Sequence, residues 1–246
     1  MSGGEKLGMI IQVNGASKRF GKKSVLEDIH LNIGTSKIYG LIGPSGAGKT
    51  TLVKLIVGMN QADKGSIKVL GKQVPDLSLL QNIGYMAQSD ALYTELTGME
   101  NLRFFASLYK MDKETQKQRI AYTAGLVNLE SDLGKKVSTY SGGMKRRLSL
   151  AIALIQDPEI IILDEPTVGI DPELRVTVWD ELLRLKDNGK TIIVTTHVMS
   201  EAERCDMVSM VRDGGILEHG SPDALKERYQ TDNLDDVFLR AGRHQS

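Results

Sequence analysis

IYGLIGPSGAGKTTLVKLIVG, residues 38–58, decides the fold. It reads as an apolar strand, a glycine-rich turn and an amphipathic helix in immediate succession. Gly43, Pro44, Ser45, Gly46, Ala47, Gly48, Lys49 and Thr50 fit G-x-x-x-x-G-K-[ST] in the strand–turn–helix context the motif needs, with Thr51 following. Glycines let successive backbone N–H groups turn inward onto nucleotide phosphates, and the helix start adds the positive end of its dipole. Lys49 is placed to reach the β- and γ-phosphates, and the Thr50 hydroxyl to ligate Mg²⁺.

Outward from this stretch, short apolar runs recur at MIIQV (9–13), EIIILDE (159–165), TIIVTTH (191–197) and MVSMV (207–211). Several are apolar throughout, as strands buried on both faces of a parallel sheet are. Longer amphipathic stretches lie between them. In residues 174–186, Leu174, Val178, Leu182 and Leu185 recur at helical spacing. The alternation predicts an α/β fold: a P-loop core with a mainly parallel sheet. KGSIKVLGKQV (64–74) alternates between glycines and adds an antiparallel β subdomain. Residues 89–156 read as helix without a convincing strand, an inserted helical subdomain. The expected organisation is therefore a core from 9–88 and 157–229, a helical lobe over 89–156, and a tail over 230–246 that docks weakly or frays.

The 246 residues carry 31 basic and 31 acidic side chains, with 41% hydrophobic residues. No global field favours nucleic acid or an acidic membrane surface, so no nucleic-acid partner is expected. The one cysteine, Cys205, excludes an intrachain disulfide framework and reads as a small helix residue. The opening MSGGEKLG has no apolar signal core. No apolar run approaches the roughly 18 residues that cross a bilayer, so a membrane role would need a partner chain.

IIILDEP ends an apolar run in Asp164 and Glu165. Asp164 can hold Mg²⁺ or its bound water. Glu165, next in line, can orient and deprotonate water at the γ-phosphate. His197 closes TIIVTTH at a strand's carboxyl edge, where open α/β sheets bind ligands; alone it would be structural. Gln88, after NIGYMAQ, is either a sensor of Mg²⁺ and water or a solvated loop residue.

STYSGGMKRR (138–147) places Ser141 at the N-cap of a helix. Met144, Leu148, Ala151, Ile152 and Ile155 then share one apolar face, so Met144 is expected in the core. Lys145, Arg146 and Arg147 point mostly away from it, adding potential near a nucleotide or forming a solvated face.

Together Gly43 to Thr50, Gln88, Ser141, Gly142, Gly143, Asp164, Glu165, Asp171 and His197 resemble, in order and approximate spacing, the ATP-binding cassette ATPases, over nearly the whole chain. The resemblance implies that Phe20, in SKRFGKK, stacks on adenine; the alternative is a strand-end aromatic packed on the core. It further implies head-to-tail dimers, of two copies or with a related subunit. There Ser141, Gly142 and Gly143 grip the ATP of the opposite subunit, and Asp171 lies in the loop crossing the interface. Many relatives have glutamine where this chain has Met144, and the phosphate-gripping atoms do not include that side chain. YSGGMKRRLSLA, LDEPTVGIDP and the NLDDVFL tail look like the ATPase subunits of bacterial drug-resistance-type exporters, whose permeases are separate integral-membrane chains. By that resemblance LTGMENLRFF (96–105) docks the permease, and the subunit is cytoplasmic, peripheral on the inner face of the membrane. A soluble cassette ATPase assembling a cytosolic complex remains the alternative, and importer ATPases a third.

Overall fold

The computed structural model describes residues 8–89 and 91–243. The opening residues read above for a signal core lie, up to Leu7, outside them, as do the last three of the tail. The chain divides into two compact units, Met1–Leu79 with Ile193–Ser246, and Leu80–Ile192.

In the first unit, strands β1 (Met9–Phe20) and β2 (Lys23–Gly34) pair antiparallel across a tight turn, Phe20 opposite Lys23. β4 (Lys64–Val69) pairs β1 on its other edge and β5 (Lys72–Gln73) pairs β4, giving the order β2-β1-β4-β5. Ile29, Leu31 and Ile33 recur at period two and are all buried, the alternation of a sheet with one face in the core. β1 is far longer than MIIQV suggests. It runs on through polar residues because register shifts absorb the break in alternation, with Gly15 in a left-handed conformation at φ 62°.

β3 (Ile38–Ile42) is buried at every residue. It lies parallel to β9 (Met207–Arg212), which pairs antiparallel with β10 (Gly215–Gly220). Helix α1 (Lys49–Ile56) follows the glycine-rich turn and buries Leu52, Val53, Leu55 and Ile56. The short α6 (Met199–Ala202) precedes Cys205, which sits in the bend after the helix rather than within it. Burial pushes that thiol up to about 12, so it is inert at neutral pH.

α7 (Pro222–Tyr229) starts on Ser221, whose hydroxyl accepts from the Ala224 N–H. Among the described residues the tail is ordered as a helix: α8 (Leu234–Arg243) buries Leu234, Val237 and Ala241 against this unit. Those residues recur at three and four, and Gly242 lies so close to Arg212 that a Cβ would stand 2.0 Å from its Nη1. Polar composition hid a one-sided apolar stripe.

In the second unit, β6 (Ile83–Met86) and β7 (Ile160–Asp164) run parallel, Ile83 beside Ile160. Four helices accompany them: α2 (Gly98–Leu108), α3 (Lys113–Leu126), α4 (Gly142–Ala153) and α5 (Pro172–Asp187). Each is capped by the residue its sequence offers: Thr97 in a capping box with Glu100, then Asp112, Ser141 and Asp171. Leu174, Val178, Leu182 and Leu185 are buried along α5 as their spacing predicts, with Trp179 beside them. β8 (Thr191–Thr196) starts here, the Thr191 N–H donating to Glu159 O, and the division between units runs through it. Among the described residues no helix is long and apolar enough to cross a membrane.

Candidate functional site

The candidate residues fall in both units. In the first, β3 delivers the chain into the loop from Gly43 to Gly48. Two glycines there are obligatory. Gly43, at φ 152°, lies so near β9 that a Cβ would stand 2.1 Å from Val211 O. Gly48, at φ 109°, would bring a Cβ to 2.9 Å from Val25 O and 2.7 Å from Leu26 Cδ2. Gly48 is also the N-cap of α1 and supplies no side-chain cap, so the first-turn N–H groups are not bonded by a capping side chain.

Lys49, the first residue of α1, is buried, with Nζ donating to Gly43 O at 2.7 Å and Pro44 O at 3.0 Å. Its ammonium is thus folded back over the mouth of the loop. Pro44, Ser45 and Gly46 are exposed, Ala47 is buried, and Thr50 and Thr51 are half-buried on the helix's first turn.

His197 is exposed immediately beyond β8. Its turn is tied by Thr196, whose Oγ1 donates to Glu201 Oε2 at 2.8 Å and accepts from the Val198 N–H at 3.0 Å. Phe20 ends β1 with half its surface exposed and Lys18 Nζ 5.5 Å from its ring centroid. A ring packed into the core is therefore not what this strand end presents.

In the second unit, β7 ends at Asp164, which is fully buried. Glu165 follows with φ 54°, a left-handed backbone that costs a non-glycine residue about 1–2 kcal/mol. That kink turns the half-buried carboxylate out of the strand direction. Gln88, two residues past β6, meets it: Nε2 lies 3.4 Å from Glu165 Oε2. Burial, reinforced by the nearby Asp164 carboxylate, pushes the Tyr85 phenol of β6 up to about 12 and keeps it protonated.

Ser141 caps α4 by accepting from the Met144 N–H at 3.2 Å. Ser141 and Gly142 are exposed. A Cβ on Gly143 would stand 2.9 Å from Gly169 O, so the bare backbone there is a packing requirement. Asp171 is exposed, its Oδ1 accepting from Leu174 N–H at 2.9 Å to start α5.

Around α4 two expectations need correcting. Met144 is only half-buried, as is Ile152, while Leu148, Ala151 and Ile155 are buried. Arg146 is not on a solvated face; only 7% of its surface is exposed. Its guanidinium donates to Ala87 O (2.8 Å), Gln88 O (3.0 Å), Glu165 O (2.6 Å) and Asp164 O. Arg147 donates to Val127 O and Asn128 O at the end of α3, where a cation complements the helix's negative end. The buried stripe Arg146–Leu150–Ala153, at i, i+4 and i+7, was the available signal.

Thr50, Gln88 and Asp164 offer a hydroxyl, an amide oxygen and a carboxylate, all hard oxygen donors. Among the described residues no group of three or more His, Cys, Asp or Glu side chains is arranged to hold a metal ion. Each of the three oxygen donors is of the kind that Mg²⁺ takes, an ion that needs few protein ligands and completes its shell with phosphate and water.

A protein-family model described as ABC transporter matches residues 26–168. A Dictyostelium discoideum protein named ABC transporter G family member 23 is 39% identical over 243 residues, 96% of this chain but only 34% of that protein. The Nod factor export ATP-binding protein I of Burkholderia orbicola is 40% identical over 88% of this chain and 72% of its own length. Among solved structures, an ATP-binding subunit of an ABC transporter superposes with a TM-score of 0.88 at 27% identity, covering 95% of this chain and 99% of that one. A dimeric post-hydrolysis ATP-binding cassette bound to ADP and Pi gives 0.80 at 25% identity, covering 86% and 98%.

Proposed function

The chain belongs to the ABC transporter family and carries its ATPase domain, and from that premise we propose that it powers a membrane exporter through a separate permease. Residues 9–88 and 157–229 form the ATP-binding core, 89–156 the signature-bearing helical lobe and 230–246 the tail. The observation that carries the hydrolytic part is the kinked Asp164–Glu165 turn with Gln88 against the carboxylate.

The glycine loop and Lys49 bind the phosphates of ATP, Lys49 exchanging the Gly43 and Pro44 carbonyls for phosphate oxygens. Phe20 stacks on the adenine. Thr50, Gln88 and Asp164 hold Mg²⁺, which when bound neutralises β- and γ-phosphate charge. Glu165 takes the proton of the attacking water, Gln88 orients that water, and His197 donates to the γ-phosphate. Ser141, Gly142 and Gly143, with Asp171, complete the ATP site of a second copy or a related subunit. Dimerisation is thereby linked to nucleotide, which stabilises whichever assembly binds it.

Export rests on the naming of the relatives as export ATP-binding proteins and on a surface of the helical lobe. Tyr93, Phe104 and Phe105 pack edge-on or tilted against one another, centroids 4.8 to 6.2 Å apart, with Tyr93 and Phe104 substantially exposed. Exposed aromatics of this kind suit a partner helix, and a permease partner would hold the chain on the cytoplasmic face of the membrane. The test is co-purification from membranes with the permease encoded beside it. Recovery in the membrane fraction only when the permease is co-expressed is the expected result. A chain that stays cytosolic beside a normally made permease contradicts export.

A further inference from the structure

Arg146 donates to four backbone carbonyls in two short stretches: Ala87 and Gln88 after β6, Asp164 and Glu165 at the end of β7. These stretches are unrelated in sequence, and each carries a residue assigned above to hydrolysis. One nitrogen of the guanidinium takes the first pair and the other takes the second, a division that its planar fork permits. The Gln88–Glu165 contact at 3.4 Å closes the same ring of interactions on the side-chain side. The Glu165 carbonyl lies on the residue with the left-handed backbone, so the bond that Arg146 makes there bears on the conformation that aims the carboxylate.

Arg146 also sits five residues after Ser141, about 7.5 Å along α4. A shift at the helix's N-terminus therefore reaches both stretches through one rigid element.

We propose that Arg146 is a positioning residue of the ATPase reaction, which through four carbonyls sets the backbone of Gln88 and Glu165 and makes signature helix α4 the element that aligns them. The inference rests on the reading of Glu165 as the base. It assigns Arg146 no contact with ATP, because the phosphate loop is built from other residues.

Lysine keeps the charge but not the fork, so Arg146→Lys separates the two roles. A misplacement of the base near 1 Å costs about 100-fold in rate, so kcat should fall by about 10- to 100-fold. KM and the Kd for a fluorescent ATP analogue should move by less than about threefold. In a Glu165→Gln background the lysine substitution should lower the residual single-turnover rate by a clearly smaller factor than in the wild type, because one of the two groups it positions is already gone. A merely structural arginine would lower that rate by the same factor as in the wild type, which overturns the proposal. So does an Arg146→Lys rate within about twofold of an active wild type, or parallel losses of kcat and nucleotide affinity. Arg146→Gln, neutral and less costly to bury, covers the case of an unfolded lysine variant; if neither folds, Arg146 is structural and the proposal falls. An inactive wild type would instead overturn the reading of Glu165 itself.

Discussion

Replacing Gly48 by alanine puts a methyl group where the phosphate loop has no room. At φ 109° an L-residue is strained, and the left-handed region alone costs about 1–2 kcal/mol. The added Cβ would meet Val25 O at 2.9 Å and Leu26 Cδ2 at 2.7 Å. Leu26 is fully buried and Val25 O belongs to backbone, so neither can swing clear, and overpacking of this kind costs about 1–3 kcal/mol. The sum, about 2–5 kcal/mol, is a large share of a typical 5–15 kcal/mol stability. It also acts at the N-cap of α1, whose first turn has no side-chain cap.

Thermal melting should therefore drop by about 4–20 °C, at roughly 2–4 °C per kcal/mol for a domain of this size. Affinity for a fluorescent ATP analogue should weaken about tenfold or more, equivalent to 1.4 kcal/mol. A variant melting within about 2 °C of the wild type would refute the steric reasoning, since even the smallest sum exceeds that shift. Unchanged affinity with lowered melting would separate the cradle from phosphate binding.

Other residues give independent checks. Leu234→Ala removes a fully buried side chain from α8 and should destabilise by about 2–5 kcal/mol, read by urea unfolding; a loss below about 1 kcal/mol would mean the tail is not docked. Burial pulls the His219 imidazole below its ordinary value, beside Ser209 Oγ at 2.8 Å. Its neutral form suits the fold, so the unfolded chain binds more protons at acid pH. The stability it supports is present above an unfolded value near about 6.5 and declines as pH falls through it. His219→Gln should flatten the stability profile between about pH 7 and 5, and an unchanged slope would place the acid sensitivity elsewhere.

The phosphate loop was legible because its constraints are local: a glycine whose Cβ would strike Val211, another at a left-handed N-cap, a lysine beginning the helix. The helix start at Ser141 was legible for the same reason. Arg146 was not. Its partners are carbonyls 18 to 59 residues away, and backbone acceptors leave no mark in side-chain composition. Beside Lys145 and Arg147 it read as part of a cationic face. Met144 misled in the opposite direction, since apolar character at the first turn of α4 did not guarantee a core position. The left-handed backbone of Glu165 has no signature either, because the residue is neither Gly nor Asn. The tail was misread from its charge, although Leu234, Val237 and Ala241 carry the stripe that docks it.

The central claim is that Glu165 is the base that breaks ATP and releases two chains from each other. Glu165→Gln preserves shape and removes the base, so the most direct measurement is mass by light scattering after size-exclusion chromatography in Mg-ATP. The account predicts a stable dimer with ATP retained for the variant, and a wild type that hydrolyses ATP and returns to monomer. A variant that hydrolyses ATP at the wild-type rate, or stays monomeric with ATP bound, would contradict it.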